Sequence, residues 1–541
     1  MIYLSPDLID SFGDKLSTIA LSNSKVFSNN HLLRAQHATT SRLVSCMINE
    51  GLVKSFVVFV DLSLDTSSNL SDSDMLVRQF ASKQQKNIAP LTTAFLIVCS
   101  KSEDITYSHS LSKTSTSGKL TNPNSSAESI YNDDFNQNTD QSVPLSDSSS
   151  ISNSSVFVFQ LLNIPILNQA SSKGIYSVGL IDPDELASTH WFIHNANEYS
   201  SIANIDSLKF SDPNIFMRET GKWLKSDINL IESICNELTS SVVHQEYRYK
   251  NLPQTPDIMT YKSIDWENSI IEGHATHPMH RSRHSIQPLQ KIVPETDFKN
   301  ILINFVTIER KHVIIEGNYE DSLKSLFESA TKTTKLPYTP ITINSEEGTK
   351  ILSLINLQTH VIIPVHEMHL PAIVEKFGNL IRVLPFEAKA QGQASLRTVS
   401  PDSMIPSGLC IKLPLGIKTS SALRTITPWS THIGPRISKI LPLLNKKLEE
   451  VYSNTSTPFS QERMYIAREI ASIVHNDTDF DVSKYLSCIV REEADYLVRN
   501  NYNENVIVCA ALTEKTLDGT PYVEKCLELN THEEKINFFT R

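Results

Sequence analysis

A chain of 541 residues with 49 Lys and Arg against 60 Asp and Glu has a formal charge of -11. It is too long for a single hydrophobic core and too acidic for a general nucleic-acid binder, which needs a net basic face. The N-terminus, MIYLSPDLIDSFGDKL, has no continuous apolar run, and no apolar stretch approaches the roughly 20 residues of a membrane span, so a cytoplasmic protein with neither nucleic-acid nor membrane partners is expected. Seven cysteines without a CxxC pair indicate neither a disulfide framework nor a zinc ribbon.

In chain order, FVVFV (Phe56 to Val60), TAFLIVC (Thr93 to Cys99) and VFVFQLL (Val156 to Leu162) read as strands of one sheet. Between the second and third lies a segment from about Lys101 to Ser155, rich in Ser, Asn, Asp and Thr, which cannot bury enough apolar surface to offset its ordering entropy and is expected to be a disordered insertion. From Trp223 onward Leu224, Ile228, Ile231, Cys235, Leu238 and Val242 recur at spacings of four and three, the stripe of an amphipathic helix. The turn NLPQTPD (Asn251 to Asp257) suggests a domain boundary. Strand-like runs (HVIIEG, HVIIPVH, LIRVLPFEAKA, CIKLPLGI) then alternate with helical ones (YEDSLKSLFESATK, HLPAIVEKFGN), which is an α+β pattern, and after ISKILPLLNKKLEEVY the rest reads mostly helical.

The stretch GHATHPMHRSRH places His274, His277, His280 and His284 beside Arg281 and Arg283. Pro278 breaks any helix across it, no Cys, Asp or Glu joins the histidines, and the arginines repel a cation, so a zinc site is disfavoured; a solvated basic patch and an anion cradle remain. The cradle has support elsewhere. In QASLRTVS, Ser395 and Arg397 share a face if the segment is extended, with the Thr398 hydroxyl adjacent, and guanidinium with hydroxyls is a common phosphate grip. In CIKLPLGIKTSSALRT, Lys412 and Lys418 fall on one face of a strand-like run, and Thr419, Ser420 and Ser421 read as N-cap candidates for a short helix carrying Arg424, whose start would offer free N–H groups to an anion.

Together EGHATHPMHRSR, IIPVHEMH, SLRT, IKLPLGIKTSSALRTITPW and HIGPRIS, preceded by HATTSRLVSCMINEGLV near the N-terminus, resemble the siderophore synthetases that work without a nonribosomal peptide synthetase (NRPS), the aerobactin-type IucA/IucC family. The resemblance covers most of the chain from about residue 37. It implies a cupped hand of thumb, fingers and palm, with 1–248 thumb-like, 249–480 fingers-like and 481–541 the start of a helical palm. It also implies a ligase that uses ATP and Mg²⁺ to adenylate a carboxylate of citrate or a related acid, which an amine (a polyamine or amino-acid-derived amine) or alcohol then attacks. Attack on the α-phosphorus gathers negative charge, which calls for preorganised cations and N–H donors.

On this resemblance Ser395, Arg397 and Thr398 match the nucleotide-phosphate motif, Lys412 a phosphate-contacting lysine, and His274 the ATP-contacting histidine of a GHPxHP loop that Gly273 opens. Arg424 matches a carboxylate-binding arginine, with Thr419 and Ser420 nearby; His277, Arg281 and Arg283 are supporting candidates. Dimers are common in the family. Ala275, Arg281, Glu367, Met368 and His369 depart from the family's usual residues. The palm's EAHGQN-like motif, implied to handle Mg²⁺, has no equivalent in the 541 residues. The expectation is therefore either part of an active synthetase or a catalytically inactive homologue that binds ATP or citrate.

Overall fold

The computed structural model describes residues 2–4, 30–61, 92–101, 105–107, 155–172, 175–193, 209–254 and most of 257–539, the exceptions there being 258–259, 333–340, 343–349, 351–352, 354, 420–421, 453–466, 494, 497–505, 509–510, 512–513 and 515–519. The insertion expected at about 101–155 lies largely outside these residues. Two compact units form, one from residues 1–23 and 48–210 and the other from 24–47 and 211–541.

The first unit is built on a six-stranded antiparallel sheet of β1 (Lys54–Asp61), β2 (Thr92–Cys99), β3 (Val156–Leu161), β4 (Ile166–Ser172), β5 (Ile175–Leu180) and β6 (Leu186–Ile193), in the order β4-β5-β1-β2-β3-β6. The three apolar runs expected in one sheet are its consecutive strands β1, β2 and β3. Every residue of β3 is buried, which is why it reads as an unbroken apolar run rather than an alternating one. Phe157 stacks on Phe192 with ring centroids 4.5 Å apart and meets the edge of Phe210 at 5.2 Å.

The second unit begins with most of α1 (His31–Asn49) and resumes with α2 (Pro213–Trp223) and α3 (Ile228–Lys250). Asp212 caps α2 ahead of a proline in its first turn, and Asp227 caps α3 by accepting from the amides of Asn229 and Leu230. The stripe expected to start at Trp223 is therefore two helices. Lys225, at φ +52°, turns the chain between them, leaving Leu224 at the end of α2 and Ile228 exposed, while Ile231, Cys235, Leu238 and Val242 are buried as the spacing implies. The short helix α4 (Ser263–Ser269) follows.

A ten-stranded antiparallel sheet forms the centre of this unit. Its named strands are β8 (Ile301–Glu309), β9 (Val313–Gly317), β10 (His360–His366), β11 (Ile381–Gly392), β12 (Thr398–Pro401), β13 (Leu409–Lys412), β16 (Glu469–His475) and β17 (Ser487–Glu492), with α5 (Leu370–Phe377) between β10 and β11. They run in the order β9-β16-β17-β13-β12-β11-β8-β10, with two short strands, Thr331–Lys332 and Ile341–Thr342, attached at β11. Strands β16 and β17 lie where a helical reading was expected; Ile473, Cys488, Ile489 and Val490 are fully buried there, so the apolar runs serve the sheet. A separate three-stranded sheet joins β7 (His284–Ser285), β14 (Ile417–Thr419) and β15 (Ala422–Leu423).

The long helix α6 (Pro428–Tyr452) packs on β16 with an unusual polarity. Its buried stripe is Thr431, Pro435 and Ser438, whereas Ile437, Ile440, Leu443, Leu444 and Val451 are exposed. Polar bonds hold the inner face: the Ser438 hydroxyl accepts from the Glu469 amide at 2.9 Å and the Ser472 hydroxyl donates to the Thr431 carbonyl. No helix among the described residues is long and apolar enough to cross a membrane.

The main core lies against the ten-stranded sheet, where Ile303, Phe305, Ile363, Phe386, Ile411 and Ile473 are inaccessible to solvent. Phe386→Ala is expected to cost about 3–5 kcal/mol, measured by urea unfolding, whereas Leu443→Ala on the exposed face of α6 stays within about 0.5 kcal/mol.

Candidate functional site

Two hairpin-like structures bring the sequence motifs together. In the first, β12 and β13 pair so that Thr398 lies opposite Lys412. The turn leading into β12 contains Leu396 at φ +62°, a backbone conformation that an L side chain with a Cβ adopts only when its surroundings enforce it. Here the enforcing contact is burial: the Leu396 side chain, 5% exposed, packs with Leu289, Ile292, Ala372, Leu415 and Ile417. Ser395 and Arg397 thus flank a left-handed residue in a tight turn, and the extended segment with both on one face is not formed. The Ser395 hydroxyl instead accepts from the Thr398 amide at 3.4 Å.

The second structure is β14–β15, in which Lys418 pairs with Leu423 and Thr419 with Ala422. A hairpin stands where a short capped helix was expected, so Arg424 follows a strand rather than sitting on a helix, and Lys412 and Lys418 occupy different sheets instead of one strand face. The β-branched and apolar residues of Ile417–Thr419 and Ala422–Leu423 favour this outcome once His284 pairs with Lys418 and supplies a third strand. Ser420 and Ser421 lie outside the described residues, and of Thr419 only the backbone is described.

Backbone bonds to residues 413–417 tie the two structures. The amide of Leu413 donates to the Arg397 carbonyl at 2.8 Å, that of Leu415 to the Arg424 carbonyl at 2.9 Å, and that of Arg424 to the Ile417 carbonyl at 2.9 Å. Lys412, Arg397 and Arg424 therefore converge. Burial, then Arg424 and Arg491, lower Arg397 to about 10, and burial, then Arg491 and Arg397, lower Lys412 to about 8 against the opposing effect of Glu469. Burial also lowers Arg424. Arg397 donates one bond, to the Thr425 carbonyl at 2.9 Å, while its buried Nε has no acceptor. Among the described residues no carboxylate pairs with any of the three.

The histidine loop adjoins this cluster through β7. His274 is exposed, and its Nδ1 accepts from the amides of Thr276 and His277 at 3.3 and 3.2 Å, which leaves Nε2 as the proton-bearing nitrogen facing solvent. His277 accepts from the Met279 amide at 3.1 Å, and burial, then His274 and Arg424, lower its pKa. Gly273 sits at φ +77°, and a Cβ there would lie 2.4 Å from the His280 ring, so a glycine is required for both conformation and space. Arg281 and Arg283, expected as supporting ligand groups, are spent on structure: Arg281 donates to the carbonyls of Ile270 and Ile271, both at 2.7 Å, and Arg283 to those of His280 and Ser282.

A cleft of about 680 Å³ opens beside Thr398 and Lys412. It is lined in addition by residues that sequence reading did not single out, notably Arg491, Glu469, Glu492, Glu493 and Trp429. Arg491 reaches the site because β17 pairs with β13 and sets it opposite Cys410, two residues from Lys412. It is neutralised by Glu469, to which its Nε donates at 2.9 Å, and Glu492 is likewise taken up by Arg468. Gly434 lets α6 approach Glu469 so closely that a Cβ would overlap its carboxylate. Such long-range pairings leave no mark at fixed spacing in one sequence; the run VREE was the available signal for Arg491.

Residues 262–514 match the family model for the IucA / IucC family. Over 533 residues, 96% of this chain and 72% of the relative, the chain is 28% identical to an NRPS-independent siderophore synthetase of Rhizopus delemar. It is 23% identical over 325 residues to a citryl-spermidine/3,4-dihydroxybenzoyl-citryl-spermidine:spermidine ligase of Bacillus anthracis, covering 58% of this chain and 50% of that protein. The crystal structure of the petrobactin biosynthesis protein AsbB from Bacillus anthracis superposes with a TM-score of 0.55 at 14% identity, covering 95% of this chain and 67% of that one, a likeness of fold. The chain thus spans between half and about three-quarters of these proteins. The matched segment, a little under half of the chain, holds the histidine loop, the SLRT turn, Lys412, Arg424 and Arg491, and in it this chain is similar to the IucA / IucC family.

Proposed function

We propose that this chain provides the nucleotide-binding and acid-binding machinery of an ATP-dependent ligase of siderophore biosynthesis. In this reading a carboxylate of citrate or a related acid attacks the α-phosphorus of ATP and expels pyrophosphate. An amine, such as a polyamine or amino-acid-derived amine, or an alcohol then attacks the acyl carbon, forming an amide or ester and releasing AMP and a proton. The observation that carries the proposal is the convergence of Lys412, Arg397 and Arg424 with no carboxylate bonded to any of them among the described residues, while neighbouring Arg491 and Arg468 are paired with glutamates. Buried like charges are retained at a cost that a bound polyanion offsets. In the cupped-hand description, 249–480 would be the fingers.

The roles divide by position. Arg397, Lys412, Thr398 and Ser395 would hold the nucleotide phosphates, assisted by the Nε2–H of His274; Gly273, whose amide already donates to Glu514 at 2.9 Å, would contribute only the absence of a side chain. Arg424, with Thr419 and Ser420 beyond it, would hold the acid. As charge develops on the phosphate oxygens, Lys412 and His274 supply fixed donors that need no reorganisation. A protein-held Mg²⁺ does not fit the described residues: no group of three His, Cys, Asp or Glu side chains there could ligate one. The cleft carboxylates Glu469 and Glu492 are engaged by arginines, and Glu493 by the Ser263 hydroxyl at 2.8 Å. No step is assigned to the ion. This donor deficit favours a second reading, an ATP- or citrate-binding homologue without turnover.

Pyrophosphate release with ATP, citrate and a diamine panel separates the two: acid-dependent release is expected of the ligase, and ATP binding without release would establish the second. Arg397→Ala should weaken ATP binding by about 2 kcal/mol, read by calorimetry, through loss of charge-assisted hydrogen bonds. Arg424→Ala should act mainly on the acid's apparent affinity, and equal effects of both on ATP alone would contradict the division. Lys412 is a cation below about pH 8 and neutral above it, so ATP affinity should be full at lower pH and fall as pH rises through 8. Lys412→Arg should remove that fall; an unchanged profile would exclude Lys412 as its source.

A further inference from the structure

The peptide that precedes His274 is fixed by two acids that play no part in the proposed chemistry. Glu514 is 3% exposed, and its carboxylate accepts from the Glu272 amide at 2.9 and 2.8 Å and from the Gly273 amide at 2.9 Å. Its own backbone is held by a bond from its amide to the Ala511 carbonyl at 3.2 Å and by one from the Tyr522 amide at 2.7 Å. The Glu272 carboxylate in turn takes Arg34 at 3.2 Å, Arg42 at 3.1 Å and the Tyr249 hydroxyl at 2.7 Å. Arg42, on α1, also donates to the Glu272 carbonyl at 3.2 Å. With Gly273 pressed on the His280 ring, this peptide has almost no freedom left.

A buried carboxylate beside another carboxylate costs energy that a hydroxyl or amide at the same place would not. The arrangement provides what those groups cannot: one rigid acceptor gripping two successive N–H groups, so that the chain leaves Gly273 in a single direction. That direction sets the exposed ring of His274 and, 5.7 Å from it, the ring of His277, which lies within electrostatic reach of Arg424. We propose that Glu514 is a positioning residue: by holding the Glu272 and Gly273 amides it fixes the His274 loop against the cation cluster, with α1 locking the grip through Arg42 and Glu272. The effect on ligand binding rests on the function proposed above, whereas the effect on the loop does not.

The test uses the full chain labelled with ¹⁵N-histidine, free of ligand, together with calorimetric titration by ATP. In Glu514→Gln the charge is lost and an NH₂ group opposes an N–H. The ring resonances of His274 and His277 should shift, and ATP affinity should fall about tenfold, the cost of one unsatisfied buried hydrogen bond. Phe377→Leu, a core change that lowers the melting temperature without touching the loop, should leave the resonances in place. Should Glu514→Gln fail to fold, Arg42→Lys, which retains charge but loses the paired bonds to Glu272, should shift the same signals less. Unshifted rings in the variant that folds would overturn the positioning role. Shifted rings in the variant, with an unsubstituted chain that binds no ATP, would uphold it and defeat the ATP reading instead.

Discussion

Lys412, Arg397 and Arg424 repel one another in a half-buried place where, among the described residues, no carboxylate is bonded to them, and much of the second unit can be understood as the framework that keeps them there. Left to side-chain freedom, three cations would turn outward to water. Their backbones are fixed, Arg397 and Arg424 by bonds to the segment after Lys412 and Lys412 by its place in β13, and the Thr425 carbonyl holds the Arg397 guanidinium. Between Ser395 and Arg397, Leu396 keeps a left-handed backbone whose cost is offset by the apolar packing of its side chain.

The contrast with the surrounding arginines is instructive. Arg34 and Arg42 meet Glu272, Arg491 meets Glu469, and Arg281 and Arg283 are spent on carbonyls. All are basic residues close to the same loops, yet their charge or donor capacity is used internally. A count of positive residues in a motif therefore overstates the charge available to a ligand, and the histidine loop with its two arginines is the clearest case. What remains for an anion is the set of groups whose hydrogen-bonding capacity the protein leaves partly unused, including the buried Nε of Arg397.

How far this could be read from the residues follows the range of the interactions. Three of the six strands of the first sheet were legible because each is a local run of apolar side chains, and the helix ending at Lys250 was legible from Ile231 onward because its stripe is local too. Arg397, Thr398 and Lys412 were named as a cluster, and β12 and β13 do bring them together. The reasons expected were wrong in detail: an extended SLRT face became a turn, and a capped helix became a hairpin. Both depend on partners far along the chain, Ala372 and Leu289 for the turn and His284 for the hairpin. Arg491, Glu514 and Glu272 were missed for the same reason, since their importance lies wholly in what they meet. Helix α6 shows a further limit: apolar periodicity locates its two faces but does not say which one turns inward, and here the polar and proline-bearing face does.

Leu396 carries two demands that pull against each other. A glycine would adopt its left-handed backbone freely but would leave a hole among Leu289, Leu415 and Ile417; an asparagine would tolerate the conformation but bury an amide; a valine or isoleucine would fill the space and refuse the torsion. A residue with no reactive atom therefore has fewer acceptable replacements than the exposed serine beside it. The evolutionary freedom of the turn is narrowest at the side chain that is buried furthest from solvent.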